Sequence, residues 1–226
     1  MNKILKSFEL QDELCDKIYN DKKILFNDVR ETALEISNFF FEYIDIPRLF
    51  IYDIQLTGSL TNYNWSSYSD FDLHIICDIE NDEMKELIDS KRNIFKNSHS
   101  IQIKGFDLEP YIQDLNEVHV SLGTYSILKN KWLKTANKEE FEVDGKMIMR
   151  KVKMFKSDIE KCVKNNDEDG LTRVFEKIKK YRKSGLDKKG ELSIENLVFK
   201  FLRRDGTIEH LMKEKNRIID KKLTLK

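Results

Sequence analysis

The feature that most constrains the fold is a change of hydrophobic period near residue 137. Upstream of it, strand-type runs alternate with helical ones; downstream, every apolar pattern is helical. Val29, Ala33, Ile36, Phe40, Tyr43 and Ile44 recur at spacings of three and four, predicting a helix that ends before Pro47. Residues 49–56 are rich in β-branched and aromatic side chains and stop at the turn signal Thr57-Gly58-Ser59. Residues 70–77 alternate as a half-buried strand does. Residues 81–97 predict a helix with Met84, Leu87, Ile88 and Ile94 on its buried stripe, and residues 101–111 a third strand. A hairpin across Lys129-Asn130 is expected to join residues 125–128 to 131–133.

Four helical stripes follow: Ile148, Val152, Phe155, Ile159 and Val163; Leu171, Val174, Phe175, Ile178 and Tyr181; Ile194, Leu197, Val198, Phe201 and Leu202; and a weaker Ile208, Leu211, Lys215 and Ile218. Gly170, Gly185, Gly190 and Gly206 are expected between them, at helix ends. Residues 1–28 lack periodicity and read as an arm over the first lobe. The expectation is an α/β (α+β) lobe over residues 1–137, arm included, and an all-helical lobe over 138–226.

Charge divides along the same line. The 40 basic and 40 acidic residues cancel, so net charge points to neither nucleic acid nor a membrane surface. Residues 146–226, however, carry 24 basic against 13 acidic side chains, and residues 1–145 the complementary acidic surplus. Two readings remain open: charge-complementary lobes with the basic one facing a polyanion, or solvated lysine-rich helix faces. Cys15, Cys77 and Cys162 match neither a disulfide framework nor a zinc site, which fits a reducing cytoplasm. Charge interrupts the N-terminal segment before a signal peptide's apolar run, and no stretch approaches the roughly 18 apolar residues of a membrane span.

Chemistry concentrates between Leu56 and Ile76. Alternate strand residues point the same way, so Asp70 and Asp72 put two carboxylates on one face while Phe71 and Leu73 turn inward. Two carboxylates this close repel unless a cation neutralises them, and a pair of hard divalent ions is what such acids can bridge. Gly58 and Ser59, just past a strand end, offer close backbone approach, N–H groups and a hydroxyl to a phosphate. Taken singly, a Gly-Ser turn or an Asp-x-Asp is more often a plain turn or a solvated strand face.

Together, the apolar strand, Gly58-Ser59, a ten-residue gap, Asp70-Phe71-Asp72 and Leu73-His74-Ile75-Ile76 resemble the signature of the DNA polymerase β-like nucleotidyltransferase superfamily. The likeness extends in element order over about residues 29–115. It implies a small mixed sheet with helices on one side, Gly58 and Ser59 on a triphosphate, and Asp70 and Asp72 on two magnesium ions, with manganese as an alternative. It also implies a third carboxylate on a later strand. Glu109 is the first candidate and Asp107 the second, both opposite in parity to Phe106, Leu108 and Ile112; solvent-facing acids are the plainer alternative. Pro110 marks an edge, bulge or strand end. His74 shares the parity of the two aspartates and reads as a hydrogen-bonded scaffold residue. Tyr63, Trp65 and Tyr68 either stack on a base or seal their loop.

The helical lobe resembles, more faintly, the region where poly(A) polymerases and oligoadenylate synthases present a lysine and a hydroxyl to the triphosphate. By position the matches are Lys179 and Ser193, with Lys180, Arg182 and Glu195 as alternatives; Lys179 and Arg182 would form one basic patch, or else an ordinary charged helix face. The whole chain also looks like nucleotidyltransferases encoded by large tailed bacteriophages, which implies the cytoplasm of a host cell. The resemblance implies transfer of a nucleoside monophosphate from a nucleoside triphosphate such as ATP to an acceptor hydroxyl on RNA, a nucleotide, a protein or a small molecule, with release of pyrophosphate. The rival classes are a nucleotide-binding sensor without turnover and a structural protein with chance motifs.

Overall fold

The computed structural model describes residues 3–117, 121–138 and 141–225. The chain separates into two compact units, Leu10–Glu140 and Phe141–Lys226, and the second also takes in Met1–Glu9. The N-terminal arm is therefore divided. Helix α1 (Lys3–Lys6) contributes Leu5, and the chain beyond it Phe8, to the helical core, whereas Leu14, Cys15, Ile18, Tyr19 and Leu25 belong to the core of the sheet unit.

The sheet unit runs α2 (Asn27–Ile44), β1 (Ile51–Thr57), β2 (Asp70–Cys77), α3 (Asp82–Ser98), β3 (Gln102–Ile103), β4 (Phe106–Asp114), β5 (Thr124–Ser126) and β6 (Lys131–Lys134). Its sheet has the order β3-β4-β2-β1-β5-β6 and is mixed, the β2–β4 pair being parallel and the others antiparallel. This is the expected α/β class. Helix α2 stops where Asp45 adopts a left-handed conformation before Ile46-Pro47, and α3 starts where the Asn81 side chain accepts the Met84 N–H.

Strand alternation sorts the sheet into two faces. Ile54, Leu56, Phe71, Leu73, Ile75 and Ile112 lie on one, buried with Val29, Ala33, Phe40 and Ile44 of α2 and Ile88 and Phe95 of α3. The register Gln55–His74, Thr57–Asp72, Asp72–Glu109 and His74–Tyr111 puts a largely polar set on the other, with Ile76 as an apolar member.

Two expectations are corrected here. The stripe of α3 runs through Ile88 and Phe95 with Met84 half-buried, leaving Leu87 and Ile94 about half exposed. Phe95, outside the expected stripe, collects Phe40 and Tyr43, and Lys91 fills its turn of the stripe by donating to the Ile44 carbonyl at the end of α2. The single strand expected over residues 101–111 is a hairpin, β3 to β4, closed by Lys104 and Gly105, both at positive φ as a two-residue turn requires.

The helical unit packs α4 (Gly145–Lys164), α5 (Glu168–Lys189), α6 (Ile194–Arg204) and α7 (Thr207–Leu223) around the predicted stripes. Gly190 and Gly206 end helices at φ 70° and 79°, but Gly170 and Gly185 lie inside α5 and are buried. A Cβ at Gly185 would stand 2.5 Å from Glu195 Cβ and 2.6 Å from Ser193 Oγ, so this glycine permits the close approach of α5 to the start of α6. Overpacking of such a contact costs about 1–3 kcal/mol. Gly185→Val is expected to lower the stability of the helical unit by that amount, read as a lower midpoint in denaturant unfolding, and an unchanged midpoint would show that the contact gives way.

Candidate active site

Strand β1 ends at Gly58, whose φ of 72° turns the chain into a 3-10 turn, Gly58–Thr61. The position accepts nothing larger: a Cβ there would lie 2.0 Å from Asp72 Oδ2. The Asp72 carboxylate thus rests against the backbone of the Gly-Ser turn, bringing the two halves of the sequence motif together. The Gly58 N–H donates to Ser121 Oγ at 3.2 Å, so this amide, read from sequence as available to a phosphate, is engaged by the protein. Ser59 Oγ donates to Ser69 Oγ at 2.8 Å, and Ser69 Oγ accepts the Ser66 N–H. The Thr61 hydroxyl lies 2.9 Å from the Gly58 carbonyl and 2.8 Å from that of Gly123, donating to one at a time.

The loop leading to β2 is sealed. Trp65 Nε1 donates to the Glu13 carbonyl, Gln11 N donates to the Tyr63 carbonyl, and both rings pack against the sheet core. For Tyr63 and Trp65 the structure therefore favours closing the loop over stacking on a base.

On the polar face the acids stand in register on adjacent strands, Asp70 beside Asp107 and Asp72 beside Glu109. Neighbouring strands lie about 4.8 Å apart, which brings the four carboxylates into one patch. Both candidates for the third carboxylate are engaged. Glu109 accepts a 2.6 Å bond from Lys96 Nζ of α3, and Asp107 one of 2.6 Å from Gln102 of β3. Lys96, which sequence inspection did not single out, puts a cation on Glu109 over the open edge of β4. On that side, among the described residues, β4 is covered only at Phe106 and Asp107 by β3 and at the Leu108 N–H by the Ile101 carbonyl; Pro110, two residues on, turns its donorless nitrogen to the uncovered part.

With side chains placed so, no three His, Cys, Asp or Glu among the described residues converge closely enough to hold an ion. The donor chemistry nevertheless fits a hard divalent cation, all four being carboxylates. A second observation agrees. Thr57 Oγ1, cross-strand from Asp72, is buried without a hydrogen-bond partner, and a hydroxyl in that state calls for a polar ligand or water. A cavity of about 230 Å³ opens beside Lys96, His99, Asp107 and Pro110, below the roughly 300 Å³ at which small-molecule sites begin.

Further along the face, His74 Nδ1 lies 2.8 Å from Gln113 Oε1. Because Gln113 Nε2 donates to the Glu117 carbonyl, Oε1 is the acceptor and His74 carries its proton on Nδ1. Tyr111 adjoins this ring, donates to Glu117, and has Arg92 over its face; burial first, then Glu117, pushes the phenol well above its ordinary value. This is the scaffold role expected of His74. Asp53, 4% exposed, is held by Ser126, the Ile54 N–H and Gln55, with Lys129 at 3.4 Å. At the strand end, the Asp114 carboxylate accepts the N–H groups of Ile79 and Asn116, bonds that hold its carboxyl below the usual range.

The helical residues singled out from sequence do not form one patch. Lys179 pairs with Glu176 at 2.9 Å and lies over Phe175, whereas Arg182 turns to α6, over Phe199 and 3.2 Å from Asn196 Oδ1. Ser193, 2% exposed, caps α6 by accepting the Asn196 N–H. This corrects its expected role: an enclosed cap hydroxyl is placed for the helix, not for a triphosphate.

Gly58→Ala is expected to destabilise the sheet unit by at least about 1–2 kcal/mol, the cost of a left-handed Cβ, and to displace Asp72; chemical denaturation checks the first effect. Asp114→Asn is expected to lower stability at neutral pH. Because the folded carboxyl titrates below its unfolded value of about 3.9, the contribution is complete above that pH and lost as pH falls through the lower folded value. Stability curves of the two proteins should therefore converge in acid. No protein-family model, no curated protein and no solved structure matches the chain.

Proposed function

We propose that the chain is a nucleotidyltransferase that moves a nucleoside monophosphate from a nucleoside triphosphate, such as ATP, to an acceptor hydroxyl. The acceptor oxygen bonds to the α-phosphorus, the bond from that phosphorus to the β-bridging oxygen breaks, pyrophosphate leaves, and the hydroxyl proton passes to solvent. The observation that carries this reading is the in-register patch of Asp70, Asp72, Asp107 and Glu109 with Asp72 against the Gly58 turn.

Asp70, Asp72 and Glu109 are the residues that would hold magnesium or manganese, with Asp107 as the alternative third ligand. Bound there, the metal would lower the pKa of the acceptor hydroxyl and neutralise the triphosphate. Gly58 lets the Asp72 carboxylate rest against the turn, and the Ser59–Ser69 hydroxyl pair fixes that turn. RNA or a nucleotide is the acceptor class that this reading carries forward. No helix among the described residues is long and apolar enough to cross a membrane, and the three cysteines are free thiols, which supports work in a reducing cytoplasm.

Lys96 on Glu109 favours one second reading, a nucleotide-binding sensor in which a lysine stands where catalysis needs a metal. Incubation with α-labelled nucleoside triphosphates, Mg²⁺ or Mn²⁺ and cell RNA separates the two. The enzyme is expected to release pyrophosphate and transfer label, to lose at least about a hundredfold in rate in Asp72→Asn, and to stop on chelation of the metal. Thermal stabilisation by nucleotide without pyrophosphate would establish the sensor instead.

A further inference from the structure

The outward face of α4 carries charge that nothing in the unit uses. The buried residues Ile148, Val152, Phe155 and Ile159 define its inner face. On the opposite side stand Lys146, Arg150, Lys153, Lys161 and Lys164, all exposed. Their charged groups have no ion-pair or hydrogen-bond partner among the described residues. At 1.5 Å per residue they form a straight array about 27 Å long. Ser157 fills its middle, Glu160 is the one acid along its edge, and the nearby Asp144 is committed to capping the helix at the Met147 N–H.

The other long helices of the unit differ. Some cations on α5 and α7 are paired, Arg173 with Asp167, Lys177 with Asp158, Lys179 with Glu176, Arg217 with Glu214 and Lys222 with Glu168, whereas none of the five on this face of α4 is, among the described residues. The α4 array works against its own helix. Lys146 with Arg150, Arg150 with Lys153, and Lys161 with Lys164 are like charges three or four residues apart, a spacing at which they repel. A solvated face has no need of that arrangement; a polyanion does.

We infer that this face of α4 binds the phosphate backbone of a base-paired nucleic acid without reading its sequence. Two features select this occupant. No exposed aromatic accompanies the array to stack on bases, which favours a duplex, whose bases are already stacked, over a single strand. The apolar face of α4 is spent in the core, and only Met147 and Met154 are exposed beside the array, too little apolar surface to sink a helix into an anionic bilayer. The inference stands on the helical unit alone and holds whether or not the sheet unit transfers nucleotides.

The test is fluorescence anisotropy of the full chain with RNA and DNA duplexes of about 24 base pairs across a salt series. Five phosphate contacts give a slope of log K against log salt near −4.5, at about −0.9 per contact. Combined Lys146→Glu, Arg150→Glu and Lys153→Glu should weaken binding at least about thirtyfold and flatten the slope by about 3. The milder Gln set should show a smaller loss in the same direction. Lys213→Glu with Lys221→Glu on α7 should change affinity less than about twofold, and unfolding midpoints confirm that each variant is folded. Duplex binding unchanged by the α4 reversals, tighter binding to an unpaired strand, or binding to phosphatidylserine vesicles but to no duplex would each overturn the inference. Nucleotide transfer plays no part in the readout, so its absence leaves this result intact.

Discussion

The register of β2 is the constraint on which the rest of the sheet unit depends. Phe71, Leu73 and Ile75 are fully enclosed, and burying each contributes about 1.5–3 kcal/mol. A slip of one residue against β1 or β4 would turn these three outward and drive Asp70 and Asp72 into the core. The hydrophobic core therefore fixes where the acids stand. Their place beside Asp107 and Glu109 follows from in-register parallel pairing and requires no dedicated contact. The polar face is a consequence of the same alternation, and its length lets a network from His74 to Glu117 brace the strands behind the acids.

Charge balance on that face is handled at the edge. Four acids in one patch repel, and Lys96 and Gln102 each reach one of them from elements flanking β4. Lys96 sits in the last turn of α3, where a cation also suits the helix dipole. The same bond commits Glu109 to a cation supplied by the protein itself.

The helical unit is organised by backbone proximity. Gly185 lets α5 continue through 22 residues while α6 begins against its flank, and the enclosed Ser193 cap closes that junction. Several long cations of the unit find acids on a neighbouring turn or helix, whereas the five of the α4 array stand unpaired among the described residues, in one line along a single face.

Much of this was legible in the sequence. The alternation of residues 70–77, the turn at Gly58-Ser59 and the four helical stripes are local patterns, and local pattern decides which face of an element is buried. An acid on a later strand beside Asp70 and Asp72 was expected from the family resemblance, and parity selected Asp107 and Glu109 as its candidates. What tertiary structure alone decided are contacts between segments far apart in the chain: Lys96 on Glu109, Ser121 on the Gly58 amide, Ser193 shut away beneath Gly185, and the first nine residues joining the helical unit. Periodicity carries no information about such pairs, because it reports where a side chain points and not what it meets. The α3 stripe shows the boundary between the two: five apolar residues mark one side of the helix, and packing against Phe40 and Ile44 chose Ile88 and Phe95 within it.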